Sequence, residues 1–71
     1  MTEYTVIYQW AGRNYSASVP DLPGCVACGD TMDETQQFIK EAIELHIDAL
    51  KESGQPVPEP MTKAGLIAVD V

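Results

Sequence analysis

Residues 19–34 read VPDLPGCVACGDTMDE, and this stretch decides the fold. Pro20, Asp21, Leu22, Pro23 and Gly24 end an extended segment, because proline has no N–H for a strand ladder and glycine enters left-handed turns freely. Residues 25–28 are a short run of small, buriable side chains that suits a strand, and Gly29 and Asp30 stop it. Thr31, Met32, Asp33 and Glu34 then match a capping box, in which the Thr31 hydroxyl accepts from a first-turn amide and Glu34 reaches back to the amide of Thr31. Strand chemistry gives way to helix chemistry at one point, and the fold class is α+β.

Upstream, Tyr4, Val6, Tyr8 and Trp10 alternate with Thr5, Ile7 and Gln9, the period-two pattern of a strand with one apolar face. Ala11 and Gly12 permit a tight turn. Residues 14–19 alternate again, with Tyr15, Ala17 and Val19 on one side and Asn14, Ser16 and Ser18 on the side expected to face water, so the two segments predict a hairpin.

Downstream, Phe38, Ile39, Ala42, Ile43, Leu45, Ile47, Ala49 and Leu50 recur mostly at helical spacings. Lys40, Glu41, Glu44, Asp48, Lys51 and Glu52 occupy much of the remaining surface. This is one amphipathic helix of about five turns, with Gly54 expected in a left-handed cap just past its end. Pro56, Pro58 and Pro60 make the following stretch extended and stiff. Residues 66–71 are apolar and β-branched and predict a final strand, returned to the sheet by a right-handed crossover and parallel to the first. The expected order is βββαβ, one helix on a small mixed sheet, in a single domain over residues 1–71 with no DNA-binding domain after it.

With 71 residues, the core is thin, and self-association is the expected reinforcement where only two cysteines are present. A homodimer or homotetramer follows, with Tyr8 and Trp10 of the hairpin as contacts. Eleven acidic residues against four basic ones give a formal net charge of −7, which repels phosphate backbones and attracts a basic protein. No apolar run approaches the ~20 residues of a membrane span, no leader-like segment opens the chain, and two cysteines do not make a secreted disulfide scaffold, so a cytoplasmic location is expected.

Candidate chemistry is sparse, and no catalytic, cofactor or metal residue is assigned. Cys25 and Cys28 form a Cys-x-x-Cys pair, but no helix starts there to lower a thiol pKa, and small buried residues are the expected reading. His46 and the two cysteines supply three nitrogen or sulfur ligands where a structural zinc usually takes four, which leaves His46 a helix-surface or boundary residue. Gly12, Gly24 and Gly29 make no phosphate-cradling loop, and Ser16 and Ser18 lack a companion histidine. Glu41, Glu44 and Asp48 read as a solvated acidic helix face and, with Tyr8 and Trp10, as the expected partner contacts. A metal-dependent nuclease would have to assemble Glu3, Glu41 and Asp70.

The segment from Val19 through Cys25, then Gly29, Asp30, Thr31 and Glu34, resembles the hallmark of the HicB family of antitoxins. The likeness continues through Glu41 and Ala42 to Gly54 and the run Pro56, Val57, Pro58, Glu59, Pro60. The resemblance implies a partial RNase H-like fold of βββαβ order and a non-enzymatic role: binding and neutralising HicA, a small basic toxin that cleaves messenger RNA. It also leaves open a stand-alone homo-oligomer without a toxin, or a degenerate nuclease.

Overall fold

Residues 2–71 are described by a computed structural model. Three strands, β1 (Ile7–Trp10), β2 (Tyr15–Ser18) and β3 (Val26–Gly29), form an antiparallel sheet in the order β1-β2-β3, followed by one helix, α1 (Met32–Glu52). The hairpin is closed by the Ala11 N–H donating to the Asn14 carbonyl at 2.8 Å, with Gly12 at φ +90°. Its register sets Tyr8 opposite Ala17 and Trp10 opposite Tyr15, and β2 in turn sets Ala17 opposite Ala27 and Tyr15 opposite Gly29.

β1 is shorter than the alternation of residues 4–10 predicts. Ser18 is the last residue of β2 to pair, opposite Ile7. The chain then turns at Val19 and Pro20, so residues 4–6 run on with no ladder partner. At that corner the Val19 N–H donates to the Cys25 carbonyl (3.2 Å), the Leu22 N–H to the Val19 carbonyl (3.0 Å) and the Cys25 N–H to the Leu22 carbonyl (3.0 Å). These bonds satisfy the backbone while driving Leu22 inward to complete burial. The core is accordingly small: Ala17, Val19, Leu22, Cys25 and Ile39, flanked by partly buried Tyr4, Val6, Tyr8, Ala27, Ala42 and Ile43.

The helix lies over β3 and β2 and leaves β1 outside its footprint. Small side chains on the sheet permit this close seat, above all at Gly29, where an added Cβ would stand 2.7 Å from Thr35 Oγ1 and 2.9 Å from the Thr35 backbone nitrogen. Thr35 itself is fully buried and donates its hydroxyl to the Thr31 carbonyl at 2.7 Å. At the start of α1 the Thr31 hydroxyl accepts from the Glu34 amide at 3.1 Å as expected. Glu34 reaches back one residue further than a capping box requires, accepting from the Asp30 amide at 3.3 Å. At the other end, Gly54 (φ +69°) donates to the Lys51 carbonyl and Gln55 to the Leu50 carbonyl, the paired bonds of a Schellman cap.

The expected fourth strand is not in the sheet. Residues 66–71 have no ladder partner, and Leu66, Ile67, Val69 and Val71 are 103%, 87%, 71% and 114% exposed. The sheet is therefore antiparallel throughout, not mixed. Two features direct the chain away. The stretch around Pro56, Pro58 and Pro60 has too few N–H groups to pair, and it is tied to the start of the chain by side chains: the Tyr4 hydroxyl donates to the Pro58 carbonyl (2.5 Å) and the Thr5 hydroxyl to the Thr62 carbonyl (2.7 Å). Asp21 then holds the end of this strap, accepting from the Met61 amide (3.0 Å), the Thr62 amide (2.9 Å) and the Thr62 hydroxyl (2.8 Å). Beyond Thr62 the chain leaves the body.

The Thr62 amide and then its hydroxyl favour the charged form of Asp21 and, with a lesser contribution from the Met61 amide, outweigh the opposing effect of burial and hold its pKa below the ordinary value. A depressed pKa makes the clamp complete above the ordinary carboxylate range and weakens it as the pH falls through the lowered value. The substitution Asp21→Ala is expected to speed amide exchange at Met61 and Thr62 and open the strap to proteases while the helical circular dichroism stays unchanged; unaltered exchange at both amides would remove Asp21 from this role.

Candidate partner-binding surfaces

The 3.6-residue period places Glu34, Glu41, Glu44, Asp48 and Glu52 along the side of α1 that faces away from the sheet, and all five are exposed. Glu41 accepts from Gln37 Nε2 at 3.2 Å, one turn away on the same ridge. Phe38 and Leu45 border the ridge and are 44% and 70% exposed. The sequence counts both among the apolar positions of α1. In projection they fall toward the acidic side of the stripe centred on Thr35, Ile39 and Ala42, an angular offset that apolar spacing alone does not separate.

A second surface arises because α1 does not cover β1. An open groove of about 370 Å³ runs between the inner side of β1 with its preceding residues and the flank of the helix, walled by Tyr4, Val6, Tyr8, Ile39, Ile43 and Ile47. Tyr8 and Glu44 both line it, so the structure brings together these two of the expected contact residues. Glu41 and Asp48 lie away on the outer ridge. Trp10 lies outside the groove, more than half exposed, with its ring 4.9 Å from that of Tyr15 and tilted by 57°.

Cys25 is buried, and desolvation pushes its thiol pKa up, the opposite of an activated nucleophile. Cys28 is exposed, which corrects the expectation that both thiols are buried; it lies on the outer face of β3, in register with Ser16. His46 is half-buried on the helix, a boundary position. Glu3, Glu41 and Asp70 belong to the extended start, the helix and the segment beyond the strap. Among the described residues no three His, Cys, Asp or Glu side chains gather to hold a metal ion. No helix among them is long and apolar enough to cross a membrane. The clamp role of Asp21 has no local signal in the sequence, since its partners lie about 40 residues on.

Residues 4–69 match the profile of the HicB-like antitoxins of bacterial toxin-antitoxin systems. The chain belongs to the HicB-like antitoxin family. The match spans the hairpin, the corner, the helix and the strap, the elements that frame both surfaces. Among similar proteins, a UPF0150 protein of Synechocystis is 51% identical over 57 residues, covering 79% of this chain and 72% of its own length. An uncharacterized 14.9 kDa protein of Haemophilus phage HP1 is 38% identical over 56 residues; the match takes in 79% of this chain but only 42% of the phage protein. Among solved structures, a chain of the "HicA3 and HicB3 toxin-antitoxin complex" superposes with a TM-score of 0.72 at 28% identity, over 84% of this HicB-like chain and 70% of that chain. The three antiparallel strands and helix are thus a fold shared with that neighbour.

Proposed function

We propose that this HicB-like protein acts as an antitoxin that binds and neutralises a small basic toxin of the HicA type, and that the outer ridge of α1 is the first surface the toxin meets. The observation that carries this reading is the pairing, on one helix face, of five exposed carboxylates with the exposed Phe38 and Leu45. Like charge in a row accelerates encounter with an oppositely charged protein, and large apolar side chains beside it supply contact area once the water is expelled. A chain with a formal charge of −7 gains most from a cationic partner. The likeness to a chain from a toxin-antitoxin complex supports the same assignment.

A small basic reading frame is expected next to this gene, its expression is expected to arrest growth, and co-expression of the present chain to restore it; the lack of such a frame would overturn the reading. A toxin that arrests growth and is not relieved would overturn the reading. With purified proteins, the combined substitution Glu41→Lys, Glu44→Lys and Asp48→Lys is expected to slow association about tenfold or more and to remove most of its salt dependence. Leu45→Ala, which leaves the fold intact because the side chain is exposed, is expected to act on dissociation and cost about 1 kcal/mol or more. Unchanged rates for both variants would place the toxin on another face.

A further inference from the structure

We propose that residues 66–71 form an exchanged arm, laid along the open edge of β1 in a second copy of this chain, with the second copy's arm returned in the same way. The contact is not read from the toxin assignment and uses the groove beside β1, which meets the α1 ridge at Glu44 alone.

The arm and the groove are complementary parts that a single copy leaves unmatched. Along an extended chain alternate side chains share a face, so Ile67, Val69 and Val71 line one side and Leu66, Ala68 and Asp70 the other. The four large ones are between 71% and 114% exposed. One wholly apolar face, with the other apolar except for Asp70 near its end, is the composition of a strand with covered faces, not of a solvated loop.

On the body, β1 pairs with β2 alone, leaving the backbone groups of Ile7–Trp10 on its other edge without a ladder partner among the described residues. Such an edge is a template for an added strand. A strand placed there directs alternate side chains into the 370 Å³ groove, beside Val6 and Tyr8 and against Ile43 and Ile47.

The occupant is a second copy because the chain's own arm is led off. Asp21 fixes Met61 and Thr62, and the exposure of the residues that follow shows that they do not cover their own groove. Charge agrees with the choice. Two copies at −7 repel, but the arm carries a single charged side chain, Asp70, so pairing it along β1 brings little of that repulsion into the contact. Exchange is reciprocal under a two-fold axis, so the pair is closed and satisfies both edges.

The test is sedimentation velocity of the whole chain across the micromolar range. The wild type is expected to sediment as a dimer, and the double substitution Ile67→Asp and Val69→Asp as a monomer with unchanged helical circular dichroism, since neither side chain is buried within one copy. Ile47→Glu, at the groove wall, is expected to have the same effect, with circular dichroism again verifying the fold. A monomeric wild type or a dimeric arm variant would overturn the proposal. An arm variant that dissociates beside a folded groove variant that does not would overturn the assignment of the groove. None of these outcomes depends on toxin binding by the α1 ridge.

Discussion

Replacing Leu22 by alanine is expected to lower the thermal unfolding midpoint by about 10 °C or more. The side chain is completely buried at the centre of a core that has five buried apolar members among the described residues, and three backbone hydrogen bonds lock the corner that carries it. With the corner unable to close over the vacancy, the loss is at the scale of buried leucine truncations, about 2–5 kcal/mol. For a 71-residue domain the whole folding free energy is of order 4–10 kcal/mol at typical values per residue. Each 1 kcal/mol moves the midpoint of so small a domain by about 4–8 °C. Leu45→Ala, on the exposed ridge, is the matched control and is expected to shift the midpoint hardly at all. A shift at Leu22 no larger than at Leu45 would mean that the corner is not part of the core.

Gly29→Ala is the second large effect, and its cause is space. The added methyl group would stand 2.7 Å from Thr35 Oγ1, 2.9 Å from the Thr35 nitrogen and 3.2 Å from its Cα. Two of these atoms belong to the helix backbone, so α1 must lift from β3, at a cost of about 1–3 kcal/mol typical of overpacking. Removing the hydroxyl as well, in the Gly29→Ala and Thr35→Ala pair, is expected to recover little, because the backbone atoms remain. Full recovery in calorimetry would show that the hydroxyl alone sets the helix height.

The elements held by local chemistry are legible in the sequence. Alternation marks the hairpin, Thr31 and Gly54 mark the two ends of the helix, and the proline corner marks the turn after Val19. What escapes is whatever depends on partners distant along the chain. The β-branched pattern of residues 66–71 states that they favour a strand with covered faces, but not against which surface, and within one copy the strand does not form. Phe38 and Leu45 share the spacing of the core positions and differ only by a rotation about the helix axis, which the neighbours of α1 decide. Of the proposed contacts, Glu41, Glu44 and Asp48 could be placed on the solvated side from charge alone. Tyr8 and Trp10 share a strand face by parity, yet Tyr8 lines the groove and Trp10 packs on Tyr15 at the hairpin end.

The carboxylate of Asp21 closes a loop of about 40 residues onto Met61 and Thr62. Such a closure forms after the hairpin and helix, which need only near neighbours, because its entropy cost rises with the length of chain it spans. What docks last through a few surface hydrogen bonds also leaves first, so the strap belongs to the part of the molecule that opens without global unfolding. The order in which the chain comes apart is then written into it: the strap up to Thr62 can be released and captured again as the bonds from Tyr4, Thr5 and Asp21 open, while the core stays shut.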